Sequence, residues 1–167
     1  MIKKTLFLLL LVLSWFQAAW GQSPGNALNF DGTNDFVSLP YNALQNTSSF
    51  TFECWVRPTG GSSYRALVSS RSAGSNTMGY IIYINPSGKW DFWTGNNSTS
   101  GWNYLSNVAP VVFNKWTHIA ATYDGTTMKF YVNGSLAGSS VASAAMNTTD
   151  PIKIGAGDVG NDSFFFS

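Results

Sequence analysis

The sequence contains little cysteine and little charge. Cys54 is the only cysteine in 167 residues, so no internal disulfide can form and stability must come from a hydrophobic core. Cys54 lies in the apolar stretch FTFECWV, which favours a buried thiol over a reactive one. Only 10% of the residues are charged, and the sequence shows no basic cluster, so we predict no nucleic-acid partner. Abundant Ser, Thr, Asn and Gly instead indicate a neutral surface that forms hydrogen bonds.

Groups suited to acid–base catalysis are equally scarce. Glu53 is the only glutamate and His118 the only histidine. Sugar hydrolysis usually needs two carboxylates, and no Glu-x-Asp-x-x-Glu arrangement occurs in the chain. Counting residues does not exclude a serine–histidine–acid set, because serines are plentiful. A lone histidine in an alternating run is nevertheless more typical of a structural residue, so the sequence predicts a non-catalytic protein.

The N-terminus has the three-part pattern of a secretory signal peptide. MIKK is followed by the apolar run TLFLLLLVLSWF, which is too short to span a bilayer comfortably, and then by Ala19-Trp20-Gly21. We predict a cleaved leader at residues 1–21, the alternative being an uncleaved anchor. The protein is then secreted or held at the cell surface, with no membrane span after cleavage. Loss of Lys3 and Lys4 reduces nine basic residues to seven against eight acidic ones, a net charge of −1.

The rest of the chain shows short β-rich runs separated by turn residues. Asp124-Gly125 and Asn133-Gly134 are strong hairpin signals, because their residues tolerate positive φ. About ten runs at this spacing predict one antiparallel β-sandwich or barrel. The predicted strands are ALNF (27–30), DFVSL (35–39), SFTFECWVRP (49–58), RALVSSR (65–71), MGYIIYI (78–84), KWDFWTG (89–95), WTHIAATYD (116–124), MKFYVNG (128–134), SLAGSS (135–140) and PIKIG (151–155).

The aromatic residues between positions 114 and 140 have two interpretations. Period-two alternation places Trp116 and His118 on one face of their strand and Ile119 and Tyr123 on the other. We interpret these residues mainly as a sandwich core with a partly exposed outer face. The alternative is a binding platform.

An ordered series of motifs resembles a known family. ALNFDGTNDFVSLP, SFTFECWVRP, GYIIYINPSGKWDFWTG and NKWTHIAATYDGTTMKFYVNGSLAGS are similar to laminin-G-like, concanavalin A-like jelly-roll domains, in particular the secreted bacterial form. The resemblance covers residues 26–167 and implies an all-β antiparallel β-sandwich. Family domains usually continue with a strand that completes the sandwich. The resemblance therefore implies a domain that is C-terminally incomplete, whose last strand is either missing or supplied by another chain.

A sugar site is predicted in KWDFWTGNNSTSGWNY (89–104). Aromatic rings stack on the apolar faces of sugars, while amides and hydroxyls bond to the sugar hydroxyls. Trp90 and Phe92 face one way along this run, which leaves other rings beside a polar loop. In the alternative interpretation, these rings only pack the core and the loop. The candidate ligand-binding residues are Trp93, Asn96, Asn97, Trp102 and Tyr104.

Two acidic loops are candidate calcium sites. Asp31, Asn34 and Asp35 lie within DGTND, and Asp158 lies in the glycine-rich segment GAGDVGND. Carboxylate and amide oxygens are the ligands that calcium prefers, and the resemblance implies that some family members bind calcium at such loops. The alternative is that these residues only form turns. No other cofactor is predicted.

These observations predict a secreted, non-catalytic module that binds carbohydrate or a cell-surface or matrix ligand, such as a cell-surface glycoprotein. We expect it to belong to a larger adhesin-like or enzyme-attached protein that acts in cell adhesion. One alternative is a fragment of a concanavalin A-like glycoside hydrolase or lyase. Another is a structural spacer domain. The sequence leaves the ligand and the oligomeric state open.

Overall fold

The chain forms two antiparallel β-sheets. The computed structural model describes residues 26–72, 74–157 and 165–167, which contain ten strands and one turn of 3-10 helix at Ala43–Gln45. In spatial order, the six-stranded sheet consists of β1 (Val37–Leu39), β10 (Ile152–Ile154), β3 (Arg65–Ser69), β4 (Tyr80–Ile84), β5 (Trp90–Gly95) and β6 (Trp102–Leu105). The four-stranded sheet consists of β2 (Phe50–Val56), β7 (Thr117–Tyr123), β8 (Thr127–Val132) and β9 (Ser135–Val141). The predicted all-β, jelly-roll-type sandwich is confirmed.

One strand prediction was wrong, and one strand was not predicted. Residues 27–30 form no strand, although the ring of Phe30 packs so closely on Gly155 that a Cβ there would lie 2.7 Å away. The apolar residues of this run therefore pack against the sandwich without forming the backbone hydrogen bonds of a strand. Conversely, the sequence did not predict β6, because its four residues follow a long polar stretch and show little alternation of their own.

The core lies between the two sheets, as the alternation predicts. Trp90 and Phe92 of β5 point inward and are at most 1% exposed, as are Met128 and Phe130 on β8 of the facing sheet. The rings of Trp90 and Phe130 are 6.2 Å apart, so these two side chains join the sheets directly. Each such buried side chain contributes about 1.5–3 kcal/mol through apolar burial.

The β7–β8 hairpin confirms the core interpretation of residues 114–140. Along β7, alternate residues from Thr117 to Tyr123 are buried and those between them are half-buried. The Asp124 carboxylate closes the turn by accepting hydrogen bonds from the amides of Thr126 and Thr127, at 3.0 and 2.8 Å. These bonds favour the ionised form and lower the pKa of Asp124 below its usual value.

The predicted leader, residues 1–21, lies outside the described residues. In the part of the chain that the structure describes, no helix has the length and apolar character needed to cross a bilayer.

Candidate functional site

Five aromatic side chains lie together on the outer face of the six-stranded sheet. Side chains alternate between the two faces of a strand. Trp90 and Phe92 of β5 point into the core, so Trp93 points away from it. β6 pairs with β5 so that Tyr104 lies opposite Trp93 and Trp102 lies opposite Gly95. This register brings the rings together in one cluster. We call this cluster the aromatic face; its members are Tyr64, Tyr83, Trp93, Trp102 and Tyr104.

Trp93 is at the centre of the aromatic face. Its ring centroid lies 4.8 Å from that of Tyr104, 6.3 Å from Trp102, 5.7 Å from Tyr64 and 5.1 Å from Tyr83. Most of these contacts are edge-to-face, the arrangement that aromatic rings prefer over direct stacking. The neighbouring rings therefore fix the orientation of the Trp93 indole before any ligand arrives.

The rings differ in their exposure to solvent. Tyr104 is 53% exposed, whereas Trp93, Trp102 and Tyr64 are half-buried and Tyr83 is buried. The indole Nε1 of Trp93 is buried and has no hydrogen-bond partner among the described residues. An unpaired buried donor of this kind costs free energy, so the packing of the surrounding rings must offset it.

The two predicted asparagines hold the loop between β5 and β6. The Asn96 side chain accepts hydrogen bonds from the amide of Ser98 at 3.2 Å and from its hydroxyl at 2.7 Å. The Asn97 side chain accepts one from Asn76 at 3.2 Å, and its backbone φ is 63°. The amide of Asn97 also donates to the carbonyl of Thr77 at 2.8 Å. Both side chains thus brace the loop beside the aromatic face.

Sequence reasoning missed Tyr64, Tyr83 and Arg71. The guanidinium of Arg71 lies 5.8 Å from the ring centroid of Trp102, close enough for a cation–π contact. Tyr83 could have been inferred from the sequence, because the short NPSG stretch (85–88) forms a tight turn that fixes the register of β4 on β5. That register places Ile81 opposite Trp93 and therefore puts Tyr83 on the same outer face.

The candidate calcium loop DGTND forms a compact, exposed turn. A carboxylate oxygen of Asp31 accepts a hydrogen bond from the Thr33 amide at 2.7 Å, and one of Asp35 accepts from the Asp31 amide at 3.2 Å. Across the described ranges, no group of three or more His, Cys, Asp or Glu side chains is suited to hold a metal. Asp158 lies outside the described residues. Calcium binding here stays a prediction.

The calcium prediction can be checked by thermal unfolding. If DGTND binds calcium only in the folded state, calcium at one hundred times its Kd raises stability by about 2.7 kcal/mol over chelator. We expect Asp35→Asn to abolish this increase while leaving stability in chelator nearly unchanged. Asparagine keeps an oxygen that can accept from the Asp31 amide but lacks the charge. Equal melting temperatures of the unaltered protein in calcium and in chelator would remove the calcium site.

The outer face of the four-stranded sheet holds the one histidine. His118 Nε2 lies 3.8 Å from a carboxylate oxygen of Glu53, and the rings of His118 and Trp55 are 5.4 Å apart. The Cys54 thiol faces the other side of β2, where burial raises its pKa to about 12. A thiol with that pKa is protonated at neutral pH and is therefore a poor nucleophile.

Comparison with solved structures places the fold among carbohydrate-binding and laminin domains. The CBM40 of the Ruminococcus gnavus IT-sialidase superposes with a TM-score of 0.66 at 14% identity, over 84% of this chain and 85% of that one. Domain 4 of the Geobacillus stearothermophilus arabinanase AbnA gives 0.59 at 16%, over 87% and 73%. Domains LG4-5 of the mouse laminin alpha1 chain give 0.61 at 14%, over 90% and 44%. At these identities, the likeness concerns the fold alone.

Two further comparisons use the sequence. Mouse pappalysin-1 is 26% identical over 123 residues, which are 67% of this chain and 8% of that protein. The chain thus matches only a small part of this relative. A laminin G family model, described as the concanavalin A-like lectin/glucanases superfamily, matches residues 31–166. The chain therefore belongs to the concanavalin A-like lectin/glucanases superfamily.

Proposed function

We propose that the protein is a non-catalytic carbohydrate-binding module whose ligand lies across the aromatic face. The observation that carries this proposal is the packing of Trp93, Trp102 and Tyr104 into one ring array on an open sheet surface. Sugar rings have apolar C–H faces that pack on aromatic rings, and their hydroxyls need donors and acceptors nearby. The exposed Tyr104 ring provides the stacking surface.

Rigidity supports this assignment. The Trp93 ring is held by four neighbouring rings, and the adjoining loop is held by the side chains of Asn96 and Asn97. A preformed surface loses little conformational entropy when it binds, so more of the contact energy appears as affinity. The predicted residues therefore contribute in two ways, the rings by contact and the asparagines by bracing.

The similar structures support the ligand class. The Ruminococcus gnavus module has been solved with sialyllactose, and the arabinanase domain with arabinotriose. We infer a saccharide ligand for this chain by analogy of fold, and the aromatic face supplies the local chemistry. The predicted leader at residues 1–21 supports the further proposal that the module is exported and acts outside the cell, free or at its surface. We further propose that it is one part of a larger adhesin-like or enzyme-attached protein.

The positions of the acidic and histidine side chains disfavour catalysis. Glu53 and His118 lie on the four-stranded sheet, whereas the aromatic face lies on the other. A glycosidase needs two carboxyl groups flanking one bond. Asp91, the acidic residue of β5, is 1% exposed and accepts hydrogen bonds from the Asn85 side chain and the Asn107 amide, both at 2.8 Å. Its observed contacts are structural.

Binding is tested by replacing the exposed ring. We expect Tyr104→Ala to weaken saccharide binding at least about tenfold, which is 1.4 kcal/mol, because it removes the stacking surface without opening the core. Trp116→Ala is a matched control, since Trp116 is 54% exposed and immediately precedes β7 of the other sheet. Titration calorimetry with sialyllactose and arabinotriose, followed by a glycan array and titration of any hit, measures the effect.

Three outcomes would count against the proposal. One is that no glycan on the array binds the folded protein. Another is that Tyr104→Ala and Trp116→Ala weaken binding equally. Release of reducing sugar from a bound polysaccharide over time would contradict the non-catalytic assignment.

A further inference from the structure

Arg65 is a buried cation whose side-chain nitrogen atoms lack hydrogen-bond partners. It is the first residue of β3 and only 3% exposed. None of its nitrogen atoms Nε, Nη1 and Nη2 has a hydrogen-bond partner among the described residues. Burial lowers the pKa of the guanidinium below its usual value, but arginine keeps its proton at neutral pH. β3 therefore begins with a charge that solvent hardly reaches and that no carboxylate of the described chain stabilises.

The register places this charge on the inner side of the six-stranded sheet, at one end of the sandwich. Arg65 lies opposite Ile84, the last residue of β4, whose side chain belongs to the core. Residues directly opposite each other on antiparallel strands share a face. The guanidinium carbon lies 5.5 Å from the ring centroid of Phe113, close enough for a cation–π contact. This contact uses the face of the ring and leaves the N–H groups of Arg65 without acceptors.

The loop between β2 and β3 covers the Arg65 side chain with glycine. A Cβ at Gly61 would lie 2.8 Å from Cδ and Nε of Arg65 and 3.0 Å from Cζ, so the Gly61 backbone lies directly on this side chain. Gly61 itself is exposed and has φ +118°. A Cβ at Gly60 would meet no atom within 4 Å. On this side, backbone without side chains is thus all that separates the guanidinium from solvent.

A buried guanidinium in this state is suited to bind an anion. Burial of an unpaired charge is costly, and an opposite charge that also accepts hydrogen bonds offsets much of the cost. The planar fork of arginine matches the two oxygens of a carboxylate, which accept two parallel N–H···O bonds. A spherical anion such as chloride cannot accept both bonds in this geometry. The unpaired nitrogens of Arg65 therefore favour a carboxylate, and the glycine cover favours a small one.

We propose that Arg65 and the loop of Gly60 and Gly61 form a binding site for a small carboxylate anion, of which formate is the simplest. The loop moves off the guanidinium, and the anion accepts two hydrogen bonds from the side chain. Arg65 points between the sheets, whereas the aromatic face lies on the outer side of the six-stranded sheet. The anion site is therefore separate from the aromatic face and does not depend on the proposed carbohydrate function.

An NMR titration of the unaltered protein tests the proposal without any variant. Sodium formate replaces sodium chloride at constant ionic strength, and the Nε–Hε signals of the arginine side chains are followed. The chain has three arginines, Arg57, Arg65 and Arg71, so these signals are few. We expect the Arg65 signal to shift and to saturate, and the signal of the exposed Arg57 to stay in place. An Arg65 signal that does not move, or that shifts without saturating, overturns the proposal.

Thermal unfolding of Arg65→Met gives a second readout. At ten times its Kd, formate is expected to raise the melting temperature of the unaltered protein by about 3–6 °C relative to chloride. Arg65→Met is expected to abolish this increase, and replacement of an unpaired buried charge by an apolar side chain leaves the fold intact. Arg57→Met is the matched control, because it removes an exposed positive charge and keeps the increase. Equal responses of the two variants to formate would overturn the site.

Two glycine variants test the role of the loop. In Gly61→Ala, the new Cβ collides with Arg65, so the loop is displaced from the guanidinium. We expect this variant to bind formate at least about threefold more tightly, because a larger fraction of molecules is open. Gly60→Ala is the control, since its Cβ meets nothing, and its affinity is expected to be unchanged. Unchanged or weaker binding in Gly61→Ala would overturn the loop as the cover.

A larger carboxylate distinguishes a free anion from the acidic group of a bigger ligand. Glucuronate carries the same group on a sugar ring, which the narrow space under the loop excludes. We expect glucuronate to leave the Arg65 signal in place at concentrations where formate saturates it. If glucuronate bound more tightly than formate, the assignment to a small free anion would be overturned in favour of a larger acidic ligand.

Discussion

Replacing Trp90 with alanine is expected to lower the free energy of unfolding by about 3–5 kcal/mol. The Trp90 ring is 1% exposed and contacts Phe130 of the facing sheet, so its removal leaves a cavity between the two layers. The sheets cannot close this cavity without breaking other contacts, because interiors are close-packed. The free energy of unfolding of a single domain is only about 5–15 kcal/mol, so this loss is a large part of the total. Urea unfolding followed by circular dichroism measures the loss.

Trp55→Ala is the matched control for Trp90→Ala. Trp55 is 65% exposed on the outer face of β2, so its removal creates no internal cavity. We expect a loss below about 1 kcal/mol, as for most surface substitutions. If both variants lost similar stability, Trp90 would not be the main contact between the sheets, and the assignment of inner and outer faces would be wrong.

The division into inner and outer faces could be predicted from sequence because a strand has a strict period of two. In KWDFWTG, this period places Trp90 and Phe92 on one face and Trp93 on the other, and this holds for any pairing with neighbouring strands. The pairing of β10 between β1 and β3 could not be predicted in this way, since it joins residues more than eighty positions apart. Local turn chemistry fixes only hairpins, such as β7–β8. Long-range pairing depends on how the whole core packs.

The clustering of rings on β5 and β6 could be predicted from one hairpin, whereas the contact of Tyr64 with them could not. Trp93, Trp102 and Tyr104 come together because β5 and β6 are neighbours in sequence and in the sheet. Tyr64 precedes β3 and reaches Trp93 across β4, a contact that needs the order of three strands. The Asn96 side chain accepts hydrogen bonds from Ser98, and contact between Asn96 and a ligand stays a prediction. A sequence shows that an amide lies in a loop, but not which hydrogen bonds it makes.

Gly79→Ala is expected to lower the free energy of unfolding by about 3–4 kcal/mol and to weaken saccharide binding. Gly79 has φ +87°, a region that costs other residues about 1–2 kcal/mol, and a Cβ there would lie 2.1 Å from the Ser70 carbonyl oxygen. Its backbone also donates to Ala145 at 2.7 Å and accepts from Gly95 at 2.8 Å, so a shift would strain both bonds. Chemical unfolding and calorimetry with any glycan that the array identifies measure the two effects.

Gly134→Ala separates the two causes of that loss. Gly134 has a similar φ of +79°, but no atom lies within 4 Å of the position a Cβ would take. We therefore expect Gly134→Ala to lower the free energy of unfolding only by the conformational cost, about 1–2 kcal/mol. Saccharide binding is expected to be unchanged, because this turn belongs to the four-stranded sheet. The excess loss in Gly79→Ala measures the steric clash with Ser70. Equal losses of unfolding free energy in the two variants would mean that the segment before β4 can move away from Ser70. The binding surface beside that segment would then be less rigid than its hydrogen bonds imply.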